Sequence, residues 1–250
     1  MTRLFSTDPI KPGEGSYTLD EAESRYLRDV LRMRAGDGIT LCDANRTEYE
    51  GVISDPSSKR IKIILKSGSP NESEPPYRAI LCQGLPKGDK MSSVIQKAVE
   101  LGVFEILPVT CSRSVSRIDP RDAPEKVARW QKVSLEAARQ SGRGLVPQVR
   151  LPMSFRETVD EICRSSDLVL IPWEEANGFS IADVLEPFSK STGTGRISVL
   201  IGPEGGFEKS EVEYAVQHGA IAVTLGKRIL RTETAGPSVL AMLLYRLELS

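Results

Sequence analysis

The chain has 250 residues, 40% of them hydrophobic and 27% charged, which suits a soluble globular protein of one large domain or a medium domain with a small one. Thirty-three Lys plus Arg balance 34 Asp plus Glu, so bulk charge excludes a nucleic-acid coating protein and leaves room only for a local basic patch. Cys42, Cys82, Cys111 and Cys163 are scattered without a CxxC, no apolar run is long enough for a membrane span, and the first residues lack a signal-peptide pattern. The expectation is a cytoplasmic protein with reduced cysteines, no metal site and no membrane or DNA partner.

In chain order, a helix is expected over 20–33 and short strands over 38–42, 48–53 and 60–65, separated by turn residues. They predict a small β-barrel-like module over residues 1–70. The polar stretch 67–76, with three prolines, reads as a linker. From residue 77 to 250 the pattern changes. Strands are expected over 78–83, 104–109, 167–172, 197–202 and 220–225. Helices are expected over 90–101, 124–141, 154–164, 180–188, 209–218 and 234–249. This alternation predicts an α/β domain with a parallel sheet. Near-continuous apolar strands such as Leu168-Val-Leu-Ile171 fit burial on both faces.

Ligands in open α/β sheets bind beyond the carboxyl ends of the strands. Three such ends stand out: Ile171-Pro-Trp-Glu-Glu175, Ile201-Gly-Pro-Glu-Gly-Gly-Phe207 and Leu225-Gly-Lys-Arg-Ile-Leu-Arg231. One glycine-rich turn is ordinarily a plain connection. Three such loops after three apolar strands favour a pocket. Gly193-Thr-Gly195 precedes its strand and so makes no dinucleotide fingerprint. The single histidine, His218, sits at an expected helix C-terminus, so triad chemistry has no base.

Arginine is concentrated elsewhere. Arg25, Arg28, Arg32 and Arg34 fall within ten residues, and Arg113 and Arg143 lie in a stretch with nine Lys or Arg against four acids. Arginine forks beside small serines suit phosphate contacts, while a solvated surface is the plain alternative. The layout suits one small-molecule pocket and a separate polyanion surface.

The stretches Leu200-Ile-Gly-Pro-Glu-Gly-Gly-Phe207 and Leu225-Gly-Lys-Arg-Ile-Leu-Arg-Thr-Glu-Thr-Ala235 together resemble the signature of the RsmE family of SPOUT RNA methyltransferases. Arg25-Tyr-Leu-Arg-Asp-Val-Leu-Arg32, Gly84-Leu-Pro-Lys-Gly-Asp-Lys90 and Glu136-Ala-Ala-Arg-Gln-Ser-Gly-Arg143 agree with it, so the likeness spans nearly the whole chain. The resemblance implies a C-terminal trefoil-knot domain that binds S-adenosylmethionine (SAM) and a PUA-like N-terminal RNA-binding barrel. It implies a homodimer that methylates N3 of a uridine in small-subunit (16S) ribosomal RNA within the ribosomal subunit. By motif match the SAM pocket would comprise Ile171, Pro172, Trp173, Gly202, Pro203, Glu204, Gly205, Leu225, Gly226, Ile229 and Leu230. Arg231 and Glu204 are the candidate catalytic residues, with Arg231 favoured. Ribose 2′-O-methylation and a non-catalytic RNA-binding assembly factor are the alternatives.

Overall fold

The structure, a computed structural model, describes residues 2–11, 13–176, 178–191 and 195–249. Gly193 and Thr194 of the half-fingerprint lie outside these described residues. Contacts divide the chain into two units: Met1–Glu74 with Ala138–Val146, and Pro75–Ala137 with Pro147–Ser250. No helix among the described residues is long and apolar enough to cross a membrane.

In the first unit, β1 (Thr2–Phe5), β2 (Ser16–Thr18), β3 (Gly38–Cys42), β4 (Thr47–Ile53) and β5 (Lys62–Pro70) form one sheet in the order β1-β3-β4-β5-β2. β1 is parallel to β3, and the other pairs are antiparallel. Alternation sets the inner face: Ile63 and Leu65 of β5 are buried while Lys62 and Ile64 are exposed. Leu4, Leu19, Leu27, Ile39, Leu41 and Ile53 complete the core. Strand β5 runs into the expected linker, because Ser69 and Pro70 pair with Glu48 and Thr47 and Asn71 N–H continues to Arg46 O at 2.8 Å. A polar composition did not free this segment, since its backbone groups found strand partners.

Helix α1 (Glu21–Arg25) starts at Asp20, whose carboxylate accepts the Glu23 N–H at 2.7 Å. The single helix expected over 20–33 is instead α1 followed by a π-turn, Tyr26–Val30. The returning segment 138–146 was not foreseen as part of this unit. It is locked by Arg143, whose guanidinium forks onto Glu74 at 2.9 and 2.7 Å while Gly144 N–H donates to the same carboxylate. The Arg143 side chain is only 3% exposed. It is therefore a buried structural pair rather than the RNA-facing arginine expected from its loop composition.

The second unit carries β6 (Tyr77–Gly84), α2 (Lys90–Glu100), β7 (Glu105–Thr110), most of α3 (Ala123–Gln140), β8 (Gln148–Val149), β9 (Met153–Ser154) and α4 (Phe155–Ser165). It continues with β10 (Leu168–Pro172), β11 (Phe179–Ser180), α5 (Ile181–Ser191), β12 (Gly195–Ile201), α6 (Lys209–Gln217), β13 (Ile221–Thr224) and α7 (Thr232–Leu247). Every pairing is parallel, in the order β11-β13-β10-β12-β6-β7-β8, with β9 also on β7. β13 lies beyond β10, yet α7 packs on β6 and β12. The segment 225–231 thus crosses the carboxyl ends of β10 and β12. That crossing places the two C-terminal motifs together.

Candidate functional site

Strands β13, β10 and β12 are neighbours and parallel, so the loops after them open on one edge of the sheet. β6 lies next to β12 and ends in Gly84. A Cβ on Gly84 would stand 2.6 Å from Pro203 N, so only glycine lets the 202–207 loop lie against this strand end. Gln83 Nε2 donates to Gly84 O at 3.0 Å and to Thr232 Oγ1 at 2.8 Å, and Thr232 Oγ1 donates to Gly202 O at 2.6 Å. Gln83 and Thr232 are buried. This clasp ties the first residue of α7 to β6 and to the glycine-rich loop.

Two adjoining cavities lie over these loops. The larger, about 460 Å³, is lined by Gly202, Pro203, Glu204, Gly205, Gly206, Phe207, Arg231 and Thr232 among others. The smaller, about 110 Å³, is lined by Trp173, Thr224, Leu225, Gly226, Lys227 and Arg228 among others. Pro172, Glu174, Ile229, Leu230 and Ala235 border both. The structure therefore brings together ten of the eleven expected pocket residues. Ile171 is the exception: it is fully buried in the sheet's hydrophobic core and lines neither cavity. It lies inside β10 rather than in the loop beyond it. Ile229, by contrast, is 87% exposed, an apolar side chain at the cavity rim. Gly226 has φ +101° and open space beyond its Cα, so an L side chain there would be strained before it met any ligand.

The two candidate catalytic residues differ. Arg231 is exposed at the N-cap of α7 and lines the larger cavity. Glu204 is already engaged: it accepts from Lys90 Nζ at 3.0 Å and from Lys87 N–H at 3.1 Å, and Lys90 also reaches Glu233 at 3.3 Å. Burial alone would raise the Glu204 carboxyl. Hydrogen bonds from Lys90, its own N–H and Lys87 N–H, with the Lys90 charge, outweigh burial and hold it below the usual carboxylate range. A carboxylate held ionised in this way is a poor proton acceptor.

Glu174 was not singled out beforehand, yet it borders both cavities, stands against Gly206, and has no ion pair among the described residues. Gly206, Phe207, Thr232 and Ala235 were likewise missed, although they sit inside the quoted motifs. Lys90 and Gln83 come from distant elements, and no local signal ties them to the loops. Arg113 donates to Gly205 O at 3.2 Å, which puts it beside the larger cavity. Arg25, Arg32 and Arg34 are exposed in the first unit, and Arg28 is half-buried with a bond to Ser58 O. His218 caps α6 and lines neither cavity. Among the described residues no group of three His, Cys, Asp or Glu is placed to hold a metal.

The RNA methyltransferase domain family matches residues 73–244, and the RNA methyltransferase PUA domain family matches residues 19–66. A Bacillus subtilis protein named ribosomal RNA small subunit methyltransferase E is 31% identical over 94% of this chain and 91% of its own length. The structure of the Neisseria gonorrhoeae ribosomal RNA small subunit methyltransferase E bound to S-adenosyl methionine superposes with TM-score 0.84 at 32% identity, covering 98% of this chain and 97% of that one. A Legionella pneumophila methyltransferase with the bound cofactor SAM gives TM-score 0.83 at 28% identity, covering 97% of this chain and 96% of that one. A chain that shares nearly its whole length, both of its domains and its fold with these proteins belongs with them: it is a member of the RsmE family of RNA methyltransferases, with a PUA-like N-terminal domain and a C-terminal domain of the SPOUT trefoil-knot class.

Proposed function

We propose that this chain transfers the methyl group of SAM to N3 of a uridine in small-subunit ribosomal RNA. The observation that carries the reading is the pair of adjoining cavities, lined by the three motif loops, in a chain of this family. The residues fit the cofactor. Pro172, Leu225, Leu230 and Ala235 supply apolar walls for a purine ring, with the Gly226 backbone, whose N–H donates to Thr224 Oγ1 at 3.1 Å, beside them. Glu174 supplies a carboxylate with no partner cation among the described residues, facing a ligand that carries a positive sulfonium and ammonium. Bound SAM would also cover the exposed Ile229.

SAM supplies an electrophilic methyl group. Methylation at N3 forms an N–CH3 bond, breaks the S–CH3 bond, and releases the imide proton and S-adenosylhomocysteine. The chain's task is to favour the uracil anion and align it. With Glu204 held ionised by Lys90, the residue suited to that task is Arg231, whose guanidinium would meet negative charge growing on O2 or O4. Arg25, Arg32 and Arg34, with Arg113 beside Gly205, would contact the RNA backbone. Helix α7 leaves Met242 and Leu244 only partly covered, which supports a homodimer contact there. Cytoplasmic location follows from the substrate, whether naked RNA or an assembled subunit.

The test is nucleoside analysis of small-subunit ribosomal RNA treated with the protein and labelled SAM. The expected product is 3-methyluridine. A 2′-O-methylated nucleoside would replace this reading with another methylation, and SAM binding without any methylated product would favour an assembly factor.

A further inference from the structure

The π-turn of the N-terminal unit combines three unusual features. First, Val30 and Leu31 are adjacent, apolar, and 66% and 39% exposed. Single exposed apolar residues are ordinary, but a pair at a turn between arginines is less so. Second, the helical bonding shifts register here: Leu31 N–H reaches back five residues to Tyr26 O at 3.0 Å, and such π-turns are rare and concentrated at functional positions. Third, Arg32 follows the helix end with φ +53°. That left-handed position just past a helix is where glycine ordinarily sits, because an L side chain is strained there. Arg46, the other non-glycine residue with positive φ among the described residues, turns the β3–β4 hairpin, where left-handed residues are expected.

Within residues 25–34 the charge is one-sided, although Asp37 accepts the Arg34 N–H at 2.7 Å. Residues 25–34 hold four arginines and one acid, Asp29, which is already paired with Arg28 at 3.1 Å. Arg25, Arg32 and Arg34 are exposed and have no ion pair among the described residues. Two copies of so basic a patch would repel each other, whereas a polyanion is drawn to it. Arginines alone would serve any nucleic-acid backbone. An exposed apolar pair between them suits a partner that offers both phosphate and an unstacked base, which is the character of single-stranded and looped RNA rather than a duplex.

Resting on the reading that the substrate is ribosomal RNA, we infer that the Val30–Leu31 tip, framed by Arg25, Arg32 and Arg34, is a contact for an unpaired nucleotide of a looped RNA. The apolar pair packs against the base, and the arginines hold its flanking phosphates. The left-handed Arg32 presents a charge where glycine would offer only a turn.

The test uses the full-length chain with two variants, Val30→Ser/Leu31→Ser and Arg32→Gly. Affinity for a looped fragment of small-subunit ribosomal RNA and for a paired duplex of equal length is measured across a salt series. Wild type is expected to prefer the loop. The double serine variant should bind it about tenfold more weakly at every salt concentration, with the slope of log K against log salt unchanged. Arg32→Gly should reduce the magnitude of that slope by about 0.7, the share of one single-strand phosphate contact, without lowering Tm. Equal affinity of wild type and double serine variant, or equal affinity of wild type for loop and duplex, overturns the inference while leaving the substrate reading in place. So does a double variant whose oligomeric state changes instead of its RNA affinity, which would make the tip a protein contact. A wild-type chain with no affinity for ribosomal RNA overturns both.

Discussion

The loop cluster at the edge of the parallel sheet and the arginine-bearing turn of the N-terminal unit are held in different ways. In the loop cluster, Gly202 O accepts from Thr232, Glu204 accepts from Lys87 and Lys90, and Gly206 N–H bonds back to Pro203 O at 2.9 Å. Around the turn, Arg25, Arg32 and Arg34 extend into solvent, and of these arginines only Arg28 is bonded across among the described residues, to Ser58 O. The contrast follows from what each region would bind. A small ligand that must be placed to within a fraction of an ångström needs a surface fixed in advance. A flexible polyanion is met by long cationic side chains that adapt, because its binding rests on counterion release more than on fit.

The largest effect that would sharpen this contrast is expected from Arg231→Ala. Its single-turnover methyl transfer should fall about a hundredfold, with SAM affinity nearly unchanged. The remaining rate should still rise with pH below the uridine pKa, because the imide proton must leave. A variant with normal turnover would break the assignment and return attention to Glu204.

Thr232→Val keeps the shape of the side chain but strips the clasp, leaving Gly202 O and Gln83 Nε2 short of a partner. A loss of about 2 kcal/mol of stability is expected in urea denaturation. Calorimetry should show weaker SAM binding, while RNA affinity stays as in wild type. Full SAM affinity in a destabilised variant would show that the clasp and the pocket are independent.

Glu174→Gln removes one carboxylate and little volume. SAM should bind about fivefold more weakly, an effect appropriate to one partly solvated charge pair, while S-adenosylhomocysteine, which lacks the sulfonium charge, should lose less. Equal losses for both ligands would place Glu174 away from the sulfonium.

The smallest effects are in pH dependence, and they run in opposite directions. In the N-terminal unit, burial first and then Asp20 push the Glu23 carboxyl up to about 7, against the lowering influence of Arg139. A raised folded-state pKa gives stability that is present below the ordinary carboxylate value and lost as pH climbs through about 7. Glu23→Gln should flatten that decline. In the loop cluster the Glu204 carboxyl is depressed, so its contribution is present at neutral pH and lost as pH falls through its lowered value. Lys90→Met should therefore destabilise at neutral pH and match wild type in acid. Thermal denaturation of the two variants from about pH 2 to about pH 8 checks both signs, and parallel curves for wild type and variants would refute them.

Much of the fold was readable because its signals are local. The short strand over 60–65, the apolar runs of β10 and β12, and His218 at the end of α6 were all expressed within a few neighbouring residues. The three strand ends also announced themselves, and ten of the eleven residues expected by motif match line the two cavities beyond them. What stayed hidden depended on partners far along the chain. Arg143 and Arg32 look alike in sequence, yet one is buried on Glu74 and the other stands exposed past a π-turn. Glu204 and Glu174 both follow a strand, yet Glu204 meets a lysine 114 positions away in sequence and Glu174 meets none among the described residues. Composition and periodicity thus determined the longer strands and most of the helices and the loops that form a site, while the short strands β1, β2, β8, β9 and β11 emerged only in the folded chain. The tertiary structure decided which charges face a ligand, because an ionised group is buried where a distant counter-charge meets it and left in water where none does.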